Sequence, residues 1–279
     1  MKTNRKQNQK GFTLVELAIV LVIIGLIVGG VLAGQDLIKA AGLRAAQTQF
    51  STYDTSALAF QNKYNALPGD LSNTTANSLW SITTAANTTG AGDQNGSIDG
   101  VSAAGTICTN GLCLAGENAV FFTELNKASL IGDAMSQLDP TNYVLTTAQV
   151  KTAVPLSKLG SGTYIIPQGM GGVNYYVLLD PTVATLAAGG STSSSFKQSI
   201  SPLQASQLDG KLDDGLPGTG RVIAIGGAAT TATPAAGSTF VANAAQAAAS
   251  NNCNTAGAYA ITSANGTKPL CALSVRASF

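Results

Sequence analysis

The run GFTLVELAIVLVIIGLIVGGVLA, residues 11–33, decides the fold of this chain. From Phe12 to Ala33 it has 22 residues, and its only clearly polar side chains are those of Thr13 and Glu16. A helix of that length spans roughly 33 Å at about 1.5 Å per residue. This matches the hydrocarbon core of a bilayer, which is about 30 Å thick. The run therefore predicts a membrane-spanning helix.

The charges before this run set its expected orientation. Four basic residues and no acidic residue precede it: Lys2, Arg5, Lys6 and Lys10. Basic residues before an N-terminal span hold its start on the cytoplasmic side. We therefore expect residues 34–279 to lie on the other side of the membrane.

Glu16 is a carboxylate within the predicted span. On insertion scales such a charge costs about 2.5–3.5 kcal/mol near the bilayer centre and less near an interface. A charge in a span is a functional hypothesis whose partner has to be named. The alternative is that Glu16, only four residues after Phe12, lies at headgroup level and costs little. Position alone leaves both interpretations open.

The string KGFTLVEL, residues 10–17, closely resembles the class III signal sequence of type IV pilins and type II secretion pseudopilins. The resemblance implies that a prepilin peptidase cleaves between Gly11 and Phe12 and that the new amine of Phe12 is methylated. It also implies that Glu16 pairs with the N-terminal amine of a neighbouring subunit, since an unpaired carboxylate in an apolar bundle is far costlier than a paired one. A conventional secretory signal fits poorly, because its apolar core has about 7–15 residues and its cleavage site follows that core.

The resemblance also implies an organisation and a role. Residues 1–11 would be the leader peptide, residues 12–33 the transmembrane and filament-core half of the first helix, and residues 34–279 the head with the second half of that helix. The expected function is a structural subunit of a type IV pilus-like filament. The alternatives are a type II secretion pseudopilin, or a low-copy minor pilin that acts as an adhesin or DNA-binding tip module.

The expected partners and location follow from the same resemblance. The partners are the prepilin peptidase, identical or related pilin subunits, and an inner-membrane assembly platform. Before assembly the chain would be a single-pass inner-membrane protein with a periplasmic head. Afterwards it would lie in a pilus on the cell surface or in a periplasmic pseudopilus.

Composition argues against several other functions. The chain has no histidine, which excludes Ser-His and Cys-His catalysis and every histidine-containing metal site. No pair of carboxylates lies in a recognisable catalytic motif, so we expect no enzyme. Without residues 1–11 the chain keeps 11 basic and 14 acidic residues, a net charge of −3. This balance does not favour nucleic-acid binding, and no dedicated nucleic-acid site is evident.

An even number of cysteines in an exported domain predicts disulfides. Cys253 and Cys271 have 17 residues between them, and Cys108 and Cys113 have four. Many pilins close a C-terminal loop with one disulfide, so the resemblance implies a Cys253–Cys271 bond, with Cys108–Cys113 as the other plausible pair. A four-cysteine zinc site is the competing interpretation, although the spacings do not match those of zinc ribbons.

Apolar residues at intervals of three and four after the span predict that the helix continues to about Asn65 and packs on the head. They are Leu43, Ala46, Phe50, Tyr53, Ala57, Phe60, Tyr64 and Leu67. We expect Pro68-Gly69-Asp70 to end this helix.

The rest of the chain predicts short helices and strands. Helices are expected over residues 117–130 and from the Ser201-Pro202 pair, which reads as an N-cap followed by proline at the first helical position. Strands are expected over residues 163–167, 173–179, 221–225, 259–262 and 270–274, with the first two joined as a hairpin across residues 169–172. A long helix followed by antiparallel strands gives the α+β class. The resemblance makes this a type IV pilin-like fold, with the long N-terminal helix packed on an antiparallel β-sheet head.

Two loops carry oxygen-bearing side chains. In DQNGSID, residues 93–99, such side chains alternate around a central glycine, as in calcium loops, at Asp93, Asn95, Ser97 and Asp99. The loop lacks the bidentate glutamate of a full EF-hand, and the alternative is a metal-free turn. Asp213 and Asp214 mark a second candidate cation site, for which the alternative is a solvated helix end. No other cofactor is expected.

Overall fold

The computed structural model describes residues 13–82, 92–100, 116–133, 135–136, 147–160, 162–180, 198–225, 253–255, 257–261 and 266–279. Its first element is helix α1, Leu14–Tyr64. The chain divides after Gly42 into two compact units, and the second unit covers Leu43–Phe279.

The first unit contains the start of α1. Thr13 precedes the helix, and every side chain from Leu14 to Ala33 is exposed. Apolar side chains surround the helix here, without a polar face. A helix that is apolar on all sides is normally buried in a core or a membrane. The domain boundaries expected at residues 11/12 and 33/34 remain predictions.

In the described part of the second unit, the rest of α1 is followed by ten shorter elements. The helices are α2 (Asn73–Trp80), α3 (Glu117–Lys127), α4 (Thr147–Ala153) and α5 (Pro202–Leu212). The strands are β1 (Tyr164–Met170), β2 (Val173–Leu179), β3 (Val222–Ile225), β4 (Asn254–Thr255), β5 (Ala258–Tyr259) and β6 (Ala272–Arg276).

Four strands form an antiparallel sheet in the order β1-β2-β6-β3. The C-terminal strand β6 thus lies between β2 and β3. Strands β4 and β5 form a separate two-stranded pair. A long N-terminal helix with an antiparallel sheet confirms the predicted α+β class and is consistent with a pilin-like fold.

The predicted apolar seam of α1 is buried in the second unit. Leu43, Ala46, Phe50, Tyr53, Ala57 and Phe60 are all at most 5% exposed. The ring of Phe50 stacks on Tyr176 of β2 at 5.8 Å between centroids, and Tyr53 meets Phe122 of α3 edge-on at 5.1 Å. Apolar burial and ring contacts of this kind hold the helix against the sheet and α3.

Helix α1 ends at Tyr64, close to the predicted end at about Asn65. The residue that ends it is Asn65 rather than the predicted Pro68-Gly69-Asp70, because Asn65 adopts a left-handed conformation with φ of 56°. Asparagine tolerates this conformation and commonly ends helices in this way. Helix α3 ends at Lys127 rather than residue 130, with Ser129 in a left-handed turn at φ of 61°.

The hairpin of β1 and β2 is longer and tighter than predicted. Strand β1 extends to Met170, which pairs with Val173 and leaves a two-residue turn. Gly171 and Gly172 have φ of 60° and 78°, as the two central residues of a type I′ turn require. Strand β6 begins at Ala272 and ends at Arg276, two residues after the predicted range. Of the predicted strand 259–262, only Tyr259 lies in a strand, β5, whereas Ala260 and Ile261 do not. Residue 262 lies outside the described residues.

Candidate functional site

Among the described residues, the N-terminal part of α1 exposes an unusually apolar surface. We call residues 14–33 the apolar segment. Fourteen of its leucine, isoleucine and valine side chains are each at least half exposed. They are Leu14, Val15, Leu17, Ile19, Val20, Leu21, Val22, Ile23, Ile24, Leu26, Ile27, Val28, Val31 and Leu32. Full burial of one such side chain contributes about 1.5–3 kcal/mol. This surface therefore strongly favours being covered by lipid or by protein.

Among the described residues, α1 is the one helix that is long and apolar enough to cross a membrane. This criterion uses length and composition only. Together with the exposed apolar segment, it supports membrane anchoring through the N-terminal helix.

Glu16 caps the helix on which it lies. The backbone N–H and the hydroxyl of Thr13 both donate to Glu16 Oε2 at 2.8 Å, and the N–H of Glu16 donates to Thr13 Oγ1 at 3.3 Å. Thr13 and Glu16 thus form a reciprocal capping box, with a carboxylate three residues after the cap. The Glu16 side chain is nevertheless exposed. Gly11 and Phe12, the predicted cleavage site, lie outside the described residues.

A disulfide joins Cys253 to Cys271, with 5.1 Å between their Cα atoms. Both residues are fully buried. The N–H of Cys271 donates to the carbonyl of Ile200 at 2.8 Å, and the N–H of Ala260 donates to the carbonyl of Cys253 at 3.0 Å. The disulfide therefore ties Cys253 to the residue before β6, and the backbone hydrogen bond of Cys271 ties that residue to the segment before α5. Cys108 and Cys113 lie outside the described residues.

The predicted calcium loop forms an internal network of hydrogen bonds. The N–H and Nδ2 of Asn95 donate to the two carboxylate oxygens of Asp93 at 3.1 and 3.0 Å. Ser97 Oγ donates to Asp99 Oδ1 at 2.7 Å, and Asn95 Nδ2 reaches Asp99 Oδ2 at 3.4 Å. Both oxygens of Asp99 are thus engaged within the loop.

Asp93 also belongs to a second group of carboxylates. One carboxylate oxygen from each of Asp70, Asp93 and Glu117 lies within 4.8 Å of the others. We call these three residues the acidic cluster. Glu117 is fully buried and its Oε1 accepts the N–H of Gly92 at 2.7 Å. Asp70 is 1% exposed and its Oδ2 accepts the N–H of Gly96 at 2.8 Å. The loop backbone therefore wraps around two buried carboxylates.

A fourth acid lies beside the acidic cluster. Glu124 is fully buried, and its Oε2 accepts the N–H of Gly69 at 2.6 Å. Burial raises the pKa of Asp70 to about 6, of Glu117 to about 9 and of Glu124 to about 8. Burial penalises the charged form of a carboxyl group, which is the cause in each case.

Sequence reasoning identified Asp93 but missed the buried acids around it. Glu117 and Glu124 lie seven residues apart on α3, a spacing that places both on one face of a helix. Both lie in the helix that the sequence predicted over residues 117–130. Two acids on the same face as its apolar residues were the signal that could have revealed them.

The second acidic group consists of Asp209, Asp213 and Asp214, and it stabilises the loop between α5 and β3. Its oxygens also lie within 4.8 Å of one another, but backbone and hydroxyl donors engage all three side chains. Asp209 accepts hydrogen bonds from the Tyr259 hydroxyl and from the N–H of Gly215. Asp213 accepts the N–H groups of Arg221 and Val222. Asp214 accepts the N–H of Leu216 and the hydroxyl of Thr219.

Comparison with known protein families finds a match at the N-terminus of the chain. A family model described as the prokaryotic N-terminal methylation motif matches residues 6–32. No curated protein and no solved structure matches the chain. The matched residues include both the predicted cleavage site and most of the apolar segment. Through residues 6–32, the chain therefore carries the signature of the type IV pilins and pseudopilins.

Proposed function

We propose that this chain is a structural subunit of a type IV pilus-like filament. It is cleaved between Gly11 and Phe12 and polymerises through the apolar segment. The observation that carries this proposal is the coincidence of the methylation motif with a helix whose apolar side chains are exposed on all sides. Such a helix leaves a bilayer at low cost only when other apolar surfaces replace the lipid.

The proposal also includes the partners of the chain and the steps from membrane insertion to assembly. Before assembly, the apolar segment lies in the inner membrane and the head lies in the periplasm. The prepilin peptidase removes residues 1–11, and an inner-membrane platform assembles the mature chain with identical or related subunits.

Glu16 is proposed to pair with the methylated amine of Phe12 in a neighbouring subunit. In the single chain the same carboxylate caps its own helix through Thr13. The two roles can be separated by mutation. Gln at this position of a capping box still accepts the cap hydrogen bonds, but it carries no charge for the amine.

The test compares Glu16→Gln with Thr13→Ala in cells that assemble the native filament. We expect Glu16→Gln to reach the membrane at the normal level and to be processed, while the yield of sheared filaments falls at least tenfold. Thr13→Ala loses about 1 kcal/mol of capping but keeps the charge, so its filament yield should stay within about twofold of wild type.

The outcomes separate the interpretations. Normal filaments from Glu16→Gln would contradict the pairing role. A loss of filaments in Thr13→Ala together with normal filaments in Glu16→Gln would assign Glu16 to capping instead. Recovery of the chain as the abundant band of sheared surface filaments supports a pilus, whereas retention in a short periplasmic filament would favour the pseudopilin.

A further inference from the structure

We propose that the acidic cluster of Asp70, Asp93 and Glu117 binds one calcium ion in the head. This inference goes beyond the filament role and does not depend on it. It also revises the ligand set suggested by the loop sequence, keeping Asp93 and replacing the other members with two acids distant in the chain.

The cluster gathers oxygens from three separate segments. Asp70 follows α1, Asp93 lies in the 92–100 segment, and Glu117 is the first residue of α3. Calcium binds oxygens at about 2.3–2.6 Å, so two ligands on opposite sides of the ion are about 4.6–5.2 Å apart. One oxygen from each of the three carboxylates lies within 4.8 Å of the others. All three can therefore reach one ion.

Two buried oxygens at this place have no hydrogen-bond partner among the described residues. They are Asp70 Oδ1 and Glu124 Oε1. Asp70 is 1% exposed and Glu124 is fully buried. Buried polar atoms are rarely left unsatisfied, because each one costs free energy. An ion at the acidic cluster would engage the free oxygen of Asp70 directly.

Among the described residues, the structure shows no ion pair between a basic side chain and the acidic cluster. The pairs Lys39–Asp36 and Arg221–Asp54 lie elsewhere. A bound divalent cation would supply the positive charge that the buried carboxylates lack.

The donor chemistry selects calcium among the common metals. The chain has no histidine, and the cluster offers oxygen atoms only, which suit hard cations rather than zinc or copper. Magnesium requires a near-ideal octahedron at about 2.0–2.1 Å and usually retains several waters. Calcium accepts irregular sets of six to eight oxygens, including bidentate carboxylates and backbone carbonyls. A cluster with irregular geometry, in which the protein rather than water supplies most of the oxygens, favours calcium.

Glu124 is a positioning residue in this proposal. Its Oε2 holds the N–H of Gly69, the residue before Asp70. Gly69 has φ of 88°, and a side chain there would collide with the backbone of Glu117. The α3 helix thus fixes Asp70 beside Glu117 through a close backbone approach that only glycine permits.

The test uses the full mature chain in detergent, freed of metal with EDTA and then dialysed. Isothermal titration with calcium chloride should show one saturable site that fills by about 0.1–1 mM, the range of extracellular calcium modules. At about a hundred times the dissociation constant, Tm should rise by roughly 5–10 °C. Magnesium chloride at the same concentration should produce a much smaller rise.

Variants locate the site. Asp70→Asn and Glu117→Gln should each weaken calcium binding at least tenfold. Asp213→Asn and Asp214→Asn, in the second acidic group, are matched controls that should bind calcium as the wild type does. Should Glu117→Gln fail to fold, the wild type and Asp70→Asn still decide the matter.

Three results would overturn the proposal. They are the absence of saturable calcium binding to the wild type, unaltered binding by Asp70→Asn, and equal binding of magnesium. A head without calcium leaves the filament proposal intact, because that proposal depends on the apolar segment and its processing.

Discussion

Asp54 illustrates how single buried polar residues fix the second half of α1 on the head. It is 7% exposed, and its Oδ2 accepts from Arg221 Nη2 at 2.8 Å. Its Oδ1 accepts the N–H of Ser278 at 3.2 Å. One carboxylate on α1 thus holds both the start of β3 and the C-terminal tail.

Asp54→Ala should lower the free energy of unfolding by about 2 kcal/mol, since hydrogen bonds to charged groups contribute roughly 1.5–3 kcal/mol each. The loss stays near that value because the side chain of Arg221 is 34% exposed and can turn toward water. Tm should therefore fall by about 4–8 °C. Thermal denaturation of the full chain in detergent, followed by circular dichroism, measures this change.

The same helix offers a matched control. Asp36 pairs with Lys39 at 3.6 Å, and both side chains are more than half exposed. Asp36→Ala should change stability by less than about 0.5 kcal/mol, because exposed ion pairs contribute little. Equal effects of the two substitutions would refute the role assigned to Asp54.

At this scale the sequence allowed only part of the acidic cluster to be predicted. Asp93 belongs to a local pattern, DQNGSID, that can be recognised by spacing alone. Asp70 and Glu117 approach it only because α3 packs against the segment after α1, with Gly69 at the contact. A contact between distant segments has no local signature, so these two acids could not be assigned to the site from the sequence.

At the scale of elements, the disulfide secures the C-terminal strands. The Cys253–Cys271 bond closes a loop with 17 intervening residues. A crosslink of this length stabilises a fold by about 3 kcal/mol in the chain-entropy description, because it restricts the unfolded chain. It is buried beside β6, the central partner of β2 and β3.

Replacing both Cys253 and Cys271 with serine should lower the free energy of unfolding by about 3 kcal/mol. The midpoint of urea denaturation should fall accordingly, with wild type under oxidising conditions as the reference. Peptide mapping without reductant should recover the two cysteines in one crosslinked fragment. An unchanged midpoint, or free thiols at these positions in the exported wild type, would contradict this account.

Elements with strong local signals were predictable. The seam of α1 follows helical spacing, and the Gly171-Gly172 turn specifies the β1–β2 hairpin. The N-cap of α5 was also evident, and the structure completes it as a capping box between Ser201 and Gln204. In each case the residues that define the element are adjacent or one helical turn apart.

Helix α2 was missed because its stability comes from elsewhere in the fold. Its sequence, NTTANSLW, is rich in residues with low helix propensity. Ser72 caps it by accepting the N–H of Thr75 at 3.4 Å. At the other end, Trp80 packs against Phe60 and Tyr64 of α1, with ring centroids 6.1 and 5.2 Å away. Packing of this kind overrides a weak local preference.

At the scale of the whole molecule, the chain combines one unit whose apolar side chains are exposed with a second unit that buries its own. The described part of the unit before Leu43 exposes apolar side chains on every side of one helix. The unit from Leu43 onward has its own buried core around Tyr176, Phe50 and Phe121. The methylation motif ends at residue 32, within the first unit. In the proposed function, the first unit drives assembly and the second unit is the head.

Mass spectrometry of the N-terminus in sheared surface filaments tests the central claim most directly. The account predicts that the filament chain begins at Phe12, that its amine carries a methyl group, and that residues 1–11 are absent. A chain that retains Met1 and its leader, and that stays monomeric in the membrane fraction under native expression, would contradict it.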